Sequence, residues 1–280
     1  MIDAENRALV FGTWQIERRA SVAETIEAAL AAGYRCFDTA AGYGNDFSVG
    51  KAIKKSGIPR EELFLTNKLW NTCRDRDKVK NACKQSLRLM KQEYFDCYLI
   101  HWPWPMNGYP DWEDRNLETW RAMEELISEG LVRSIGVSNF AAHHLQILLE
   151  KGTIRPAVDQ VELHPGKPQQ ELLAYCRQQQ IQVQAWSPLG HGKVLQDERV
   201  LAIAAAHGKT AAQICLRFCL EQGASVVTSS VNPGRMLENR QIFDFELEPS
   251  EKQILEELEG VGNWGLDPDD KDLEQHLAEL

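Results

Sequence analysis

Eight short apolar runs alternate with longer amphipathic stretches, and this alternation limits the fold more than any other feature of the sequence. Short runs of this kind between helical patterns predict buried strands that are joined by helices. A β-then-α unit repeated about eight times without a long polar linker predicts a single (β/α)8 TIM barrel of the α/β class. An open doubly wound sheet is the alternative, but equal units with no break in composition favour the closed form. The runs are residues 9–13, 35–38, 63–67, 97–100, 134–137, 158–161, 183–186 and 225–228.

Capping signals place several of the helices between these strands. Residues 21–32 begin at Ser21 with Glu24 three positions later, which is the capping-box pattern, and stop before Gly33. Helices are also predicted over residues 117–129, 210–222 and 250–259, and an acidic tail follows. We therefore expect one domain over residues 1–280, in which residues 249–280 form a C-terminal helix and a solvated loop or tail.

Composition and charge exclude several classes of protein. A formal net charge of −10 argues against nucleic acid as a partner. No apolar run is long enough to span a membrane, and the first residues do not resemble a secretory signal. Seven scattered cysteines without a CxxC pair are typical of buried thiols in a reducing cytoplasm. We expect a cytoplasmic monomer whose partner is a small molecule.

Two other patterns are interpreted as chance matches. Residues 260–265 match the string G-x-G-x-x-G, but they follow a predicted helix instead of a strand, so they are read as a flexible part of the tail. His143 and His144 are neighbours that would point to different faces of a helix, and no other metal-binding spacing occurs. No metal site is expected.

Polar residues close most of the predicted strands. In a (β/α)8 barrel the functional residues lie at the C-terminal ends of the strands, so these positions are the candidates for a site. Each of them is an ordinary loop residue when taken alone. Because so many polar residues occur at the same place relative to their strands, a functional role is favoured. They are Asp38, Lys68, His101, Ser138, Asn139, Gln160, Trp186, Ser187, Ser229 and Ser230.

Several ordered strings of the sequence resemble the aldo-keto reductase family. They include FDTAAGYGN at residues 37–45, IGVSNF at residues 135–140 and QVELHP at residues 160–165. Others lie at residues 65–68, 99–103, 185–190 and 230–233, so the resemblance covers roughly residues 9–248. Relatives usually carry a β-hairpin before the first strand, which is shortened or missing here because only eight residues precede Leu9.

The resemblance implies a catalytic tetrad of Asp38, Tyr43, Lys68 and His101 in an NAD(P)H-dependent reductase of aldehydes or ketones. Carbonyl reduction needs a hydride, which no side chain supplies, so a nicotinamide is required. It also needs a proton, and a phenol with a pKa of about 10 can donate one if an ammonium group stabilises the phenolate. Lys68 would have this role, Asp38 would fix Lys68, and His101 would orient the carbonyl oxygen.

The resemblance also implies the cofactor contacts. Ser138, Asn139 and Gln160 would hold the nicotinamide carboxamide, Trp186 would stack on its ring, and the loop from Ser187 would cover the pyrophosphate. Further contacts are implied at Gly12, Thr13, Gln15, Leu189, Thr228, Ser230, Glu238 and Asn239.

One departure from the family pattern concerns the 2′-phosphate of NADPH. Ser229 stands where the family carries a lysine for this phosphate, whereas Arg235 keeps the place of the family's arginine. An arginine binds phosphate bidentately, so NADPH is still the expected cofactor. The loss of one cation weakens that preference, and NADH is the alternative.

Aromatic residues after the strands predict the substrate pocket. Such a pocket would be largely apolar and would accept aldehydes, dicarbonyls, keto-sugars or cyclic ketones. Packing in the protein interior is the alternative role for two of them, Trp104 and Phe47. The predicted pocket residues are Trp14, Phe47, Trp70, Trp102 and Trp104.

Two other functions remain open for a chain of this pattern. One is a nucleotide-binding regulatory subunit on the same fold, which would bind the cofactor without turnover. The other is a lyase in which Lys68 forms a Schiff base with the substrate.

Overall fold

The computed structural model describes residues 2–258 and 260–278, and its centre is a closed barrel of eight parallel strands. The strands pair in chain order, and β8 pairs with β1 to close the barrel. The barrel prediction is confirmed, and the open-sheet alternative is wrong. The strands are β1 Leu9–Gly12, β2 Cys36–Asp38, β3 Phe64–Leu69, β4 Cys97–Ile100, β5 Ile135–Ser138, β6 Val158–Glu162, β7 Gln182–Trp186 and β8 Ser225–Thr228.

Helices connect the strands and surround the barrel. The cap predicted at Ser21 forms through one of its two bonds, in which the Ser21 hydroxyl accepts from the Glu24 amide. Thr210 and Gln213 make a reciprocal capping box at the start of the helix Ala211–Glu221. The helices are α1 Ala4–Ala8, α2 Val22–Ala31, α3 Asp46–Ser56, α4 Arg76–Met90, α5 Trp112–Ser128, α6 Ala142–Lys151, α7 Gln170–Gln178, α8 Glu198–His207, α9 Ala211–Glu221, α10 Pro233–Glu238, α11 Pro249–Glu256 and α12 Leu273–Ala278.

Two helix boundaries differ from the sequence prediction. Helix α5 begins at Trp112 instead of residue 117, because the Asn116 side chain bonds both the amide and the carbonyl of Trp104 and holds the first turns against that loop. Helix α11 spans Pro249–Glu256, and residue 259, the predicted end, lies outside the described residues.

The N-terminal end of the barrel is covered by a single helical turn. Residues 2–8 contain α1 and no hairpin, in keeping with the short segment before β1. The Asp3 side chain caps this helix by accepting from the Asn6 amide, and the guanidinium of Arg240 donates to Asn6. The helix therefore rests on the chain that follows β8.

The prediction of a flexible, solvated tail is wrong for residues 260–269. The backbone amide of Trp264 donates to the Glu162 carboxylate at 3.0 Å, and the amide of Met106 donates to Asp269 at 3.0 Å. Trp264 and Leu266 give this segment an apolar face that packs on the C-terminal mouth of the barrel. None of the helices in the described part of the chain has the length and apolarity that a membrane span requires.

Close packing of α3 on α4 depends on Gly50. A Cβ at this position would lie 2.3 Å from the Cα and the carbonyl oxygen of Met90. We expect Gly50→Ala to lower the free energy of unfolding by about 1–3 kcal/mol, because the two helix backbones must separate, although alanine favours a helix. Denaturant unfolding measures this change. The exposed Lys51→Ala on the same helix is the control, with an expected effect within about 0.5 kcal/mol; equal stability of the two variants would contradict the packing argument.

Candidate active site

A buried ion pair lies at the centre of the barrel mouth. Lys68 on β3 donates from Nζ to the carboxylate of Asp38, the last residue of β2, and both side chains are buried. The register pairs Asp38 with Thr66, and Lys68 lies two residues further along β3 on the same face. Nζ also donates to the Thr39 carbonyl at 3.3 Å. The barrel therefore holds one ammonium in a fixed position among oxygen acceptors.

Tyr43 places its hydroxyl beside this ammonium. It ends a short 3₁₀ turn, Ala41–Tyr43, and its Oη lies 3.2 Å from Lys68 Nζ. Burial raises the pKa of Tyr43, the Lys68 cation opposes this rise, and the net pKa lies above 10. The lysine thus acts on the phenol in the predicted direction, but burial outweighs it. At neutral pH the phenol carries its proton, and its ring lines the mouth.

His101 follows β4 and is uncharged. Burial, together with the Lys68 and Arg74 cations, lowers the pKa of His101 well below 6.5. Its ring makes edge contacts with the rings of Tyr43 and Trp70, at centroid distances of 5.6 and 5.1 Å. Its buried Nδ1 has no hydrogen-bond partner among the described residues. A neutral imidazole beside the phenol is suited to a hydrogen bond with a carbonyl oxygen.

The ends of β5, β6 and β7 form a network of amides next to the ion pair. Gln160 Nε2 donates to Asp38 Oδ2 at 2.8 Å and to Gln184 at 2.5 Å. Trp186 Nε1 donates to Asn139 Oδ1 at 2.8 Å, which fixes the indole at the mouth. Asn139 has a left-handed backbone, with φ of 64°, and its amide reaches the His101 carbonyl. The network ties the ion pair to an aromatic ring.

A cavity of about 580 Å³ opens above these groups and brings most of the predicted residues together. Lys68 is close beneath its floor, in contact with Asp38 and Tyr43. The predicted residues that line the cavity are Asp38, Tyr43, His101, Gly12, Gln15, Ser138, Asn139, Gln160, Trp186, Ser187, Leu189, Thr228, Ser229, Trp14, Trp70 and Trp102.

Two predicted pocket residues lie elsewhere, so their placement in the pocket was wrong. Phe47 is 53% exposed on the outer side of α3, where its ring meets Lys91. Trp104 packs between the guanidinium groups of Arg74 and Arg115, which fix it against the loop before α5. Both follow barrel strands in the sequence, but the chain turns outward before it reaches them.

Five predicted cofactor residues also lie outside the cavity lining. Thr13 is fully buried behind it, and Asn239 is buried with its amide on the Thr228 hydroxyl. Glu238 accepts from Thr210, and the side chain of Arg235 is exposed on α10. Ser230 is buried and bonds the backbone of Asn232. Thr13 follows β1, and the other four belong to the loop and helix α10 after β8.

Several residues of the mouth were not predicted from the sequence. Trp264 and Leu266 reach the cavity from the C-terminal segment, and the Trp264 ring contacts Trp14 at 5.5 Å between centroids. Two aromatic or apolar residues in an otherwise acidic tail were the signal for this contact. His191, Arg18 and Arg19 also line the cavity, from loops after β7 and β1.

The neighbours His143 and His144 do not point apart. The Nε2 atoms of both rings lie within 3.2 Å of the Asp269 carboxylate, because the C-terminal segment crosses the start of α6. These three side chains bring possible metal ligands within 4.8 Å. The amide of Ala141 donates to His144 Nδ1 at 3.2 Å, which leaves the proton of a neutral His144 on Nε2. Polar contacts between the Asp269 carboxylate and the two histidine rings therefore account for the cluster.

A protonated phenol, an ammonium and a neutral imidazole around one cavity can protonate a carbonyl oxygen, as a barrel oxidoreductase that acts on carbonyl groups requires. A sequence model of the aldo/keto reductase family matches residues 8–259. The chain belongs to this family, and it reduces aldehydes and ketones to alcohols with NAD(P)H.

Characterised relatives and solved structures agree with this assignment. The chain is 42% identical over 259 residues to glyoxal reductase of Bacillus subtilis, covering 92% of this chain and 91% of the relative. It is 41% identical over 263 residues to methylglyoxal reductase DkgA of Escherichia coli K12, covering 93% and 92%. The crystal structure of MGS-M4, an aldo-keto reductase from a deep-sea metagenome library of the Medee basin, matches with a TM-score of 0.88 at 38% identity, covering 95% and 96%.

Two buried histidines predict how stability depends on pH. Burial lowers the pKa of His144 to about 3, and the pKa of His101 also lies well below 6.5. Because an unfolded histidine titrates near 6.5, the unfolded chain binds more protons below that pH, and stability falls as the pH falls. Each histidine should contribute a loss of about 1.4 kcal/mol per pH unit below about pH 6. Urea unfolding at pH 7.5, 6.0 and 5.0 measures the slope.

The glutamine variants separate these contributions. His144→Gln and His101→Gln should each reduce the slope between pH 6.0 and 5.0 by about one proton. The exposed His276→Gln is the control for the replacement of a histidine outside the protein interior. A wild-type slope in both buried variants would contradict the burial argument.

Proposed function

We propose that Tyr43 donates the proton to the substrate oxygen, with Lys68, Asp38 and His101 in supporting roles. The observation that carries this proposal is the 3.2 Å distance between Tyr43 Oη and Lys68 Nζ at the cavity floor. Asp38 and Tyr43 raise the pKa of Lys68 against the opposing effect of burial, so the ammonium stays charged. When the proton leaves Tyr43, this cation stabilises the phenolate that remains.

The cofactor that the family implies supplies the hydride when it is bound in this cavity. The residues present fit a nicotinamide: Trp186 offers a fixed aromatic face, and Asn139 and Gln160 offer amides beside it. Gln160 also donates to Asp38, and Asp38 in turn holds Lys68. A contact between the Gln160 amide and the nicotinamide would therefore be linked to the position of Lys68. The neutral His101 donates or accepts one hydrogen bond and orients the carbonyl oxygen toward Tyr43.

We propose NADPH as the preferred cofactor, and NADH as the weaker alternative. Arg18 and Arg19 line the mouth of the cavity, where an anionic group of the cofactor would be attracted. The exposed Arg235 on α10 is a third cation near the loop after β8. These cations offset the absence of a lysine at Ser229.

The substrate class that the cavity supports is aldehydes and dicarbonyls of modest size. Aromatic side chains surround the space next to Tyr43: Trp14, Trp70, Trp102 and Trp264. The Trp70 ring packs closely on Gly42, since a Cβ at that position would lie 2.3 Å from the ring. The relatives named glyoxal reductase and methylglyoxal reductase favour dicarbonyls within this class.

The arrangement also bears on the two alternatives. A Schiff base needs a neutral amine, but the Lys68 pKa is raised and its Nζ is held by Asp38, so the lyase has no structural support. A regulatory subunit without turnover has no support from the relatives, which are named as reductases. We further propose that residues 1–280 act as one domain, as a monomer in the cytoplasm; the seven unpaired cysteines favour that compartment.

Replacing the proton donor tests the proposal. We expect Tyr43→Phe to lower kcat for methylglyoxal reduction by about 10²- to 10⁴-fold, because a positioned acid contributes a factor of this size. The Kd for NADPH, measured by quenching of tryptophan fluorescence, should change less than about threefold. Consumption of NADPH at 340 nm measures kcat.

Tyr98→Phe is the matched control for loss of a phenolic hydroxyl. Tyr98 is buried on β4, and its hydroxyl has no partner among the described residues, so this variant should keep wild-type kcat. Turnover by Tyr43→Phe near the wild-type rate would show that another group donates the proton.

A further inference from the structure

The charge distribution of the cavity is uneven. The chain carries a net charge of −10, but the formally charged residues that line the cavity are Asp38, Arg18 and Arg19. Asp38 is neutralised by Lys68 at the floor. Both arginines lie at the outer mouth, on the β1 and β8 side, and Arg19 is the one whose contacts can be followed in detail.

Arg19 is held directly against Ser229. Its Nη2 donates to Ser229 Oγ at 3.0 Å, and weaker bonds from Nε to the Gln15 carbonyl and from Nη2 to the Trp14 carbonyl, at 3.4 and 3.5 Å, orient the same guanidinium. The topology explains this contact. Strands β1 and β8 pair at the closure of the barrel, so the loops that follow them are neighbours at the mouth.

Arg19 also has charge available for a ligand. No carboxylate forms an ion pair with Arg19 within residues 2–258 and 260–278, whereas many other cations of the chain pair with acids. Its side chain is exposed at the rim, where the cavity opens. A guanidinium that already donates to a hydroxyl keeps further N–H groups for an anion, since it has five.

The position of Arg19 and Ser229 in the cavity indicates which part of a bound dinucleotide they would contact. Tyr43, His101 and Trp186 define the end of the cavity that takes the nicotinamide. The family resemblance gives position 229 a contact with the 2′-phosphate, so a cofactor bound with its nicotinamide at this end would place its adenosine at the rim formed by the residues after β8. Arg19 and Ser229 are at this rim. Of the two anionic groups of NADPH, the pyrophosphate lies in the middle of the cofactor and the 2′-phosphate lies on the adenosine ribose, at the adenosine end.

We propose that Arg19, presented through Ser229 from the loop after β1, binds the 2′-phosphate and sets the preference for NADPH over NADH. This inference rests on the proposed function. Arg19 supplies the positive charge that a lysine at position 229 would otherwise supply, and the small Ser229 side chain leaves the guanidinium room to lie there. A lysine at 229 would instead place a second cation next to Arg19.

Binding measurements on single and double variants test the assignment. The Kd values for NADPH and NADH are measured by isothermal titration calorimetry, which does not depend on turnover. Arg19→Gln should weaken NADPH binding about tenfold relative to NADH. Adenosine 2′,5′-bisphosphate and adenosine 5′-monophosphate, which differ by the 2′-phosphate alone, should show the same relative loss. Arg121→Gln, which removes an exposed charge from α5, is the control and should leave the NADPH-to-NADH ratio unchanged.

A double variant shows whether a positive charge at position 229 can replace the charge of Arg19 in binding the 2′-phosphate. In the Arg19→Gln background, Ser229→Lys should recover most of the lost ratio. In the wild-type background the same change should raise the ratio less, because the two cations would repel each other. The two changes are expected to be non-additive if the side chains at positions 19 and 229 bind the same phosphate.

Three results would overturn the inference. An unchanged ratio in Arg19→Gln would show that Arg19 does not bind the 2′-phosphate, and an equal loss for both cofactors would place Arg19 at the pyrophosphate. Equal gains from Ser229→Lys in both backgrounds would show that positions 19 and 229 act independently. Failure of the wild-type protein to bind either cofactor would instead refute the proposed function.

Discussion

The buried pair of Lys68 and Asp38 is the interaction on which the rest of the mouth depends. An ammonium in the protein interior is tolerated only with an anion and hydrogen-bond acceptors around it, and removal of one partner of such a pair typically costs about 3–5 kcal/mol. Asp38, the Thr39 carbonyl and the Tyr43 hydroxyl provide these acceptors. The pair must therefore remain complete, and its charge then acts on each group nearby. The same cation opposes the rise in the pKa of Tyr43 and helps to keep His101 neutral.

The barrel topology explains how four distant segments meet at this pair. Asp38 ends β2, Lys68 lies on β3 and His101 follows β4, so three successive strands deliver their side chains to one side of the mouth. The pairs Asp38–Thr66 and Lys68–Leu99 fix how far each strand reaches. Gln160 on β6 joins the opposite side by binding Asp38 across the barrel. A shift of one residue in any strand would turn its side chain outward.

This dependence on topology also explains which parts of the fold and of the site could be predicted from the sequence. The strands and the closed barrel were predictable because the spacing of apolar residues and the polar residues at strand ends are local signals. The grouping of Tyr43 with Asp38, Lys68 and His101 came from the family resemblance, since nothing local distinguishes Tyr43 from an ordinary loop residue. Phe47 and Trp104 were misplaced because the direction of a loop depends on partners distant in sequence, such as Arg74 and Arg115 for Trp104. Trp264 was missed for the same reason: its position depends on Glu162, about a hundred residues earlier.

The C-terminal segment shows why substrate selection is the least readable part of the sequence. Burial raises the pKa of Glu162, but His164, Lys167 and the Trp264 amide outweigh it, so the net pKa is lowered and the carboxylate stays charged. A charged acceptor makes the bond from the Trp264 amide a strong one. Asp269 provides a second attachment, to the Met106 amide and to His143. Two attachments hold the Trp264 and Leu266 side chains over the cavity, so the outer wall of the cavity depends on Glu162 and Asp269. The sequence indicated only a solvated surface for Asp269, because the partners of this acidic residue lie far from it along the chain.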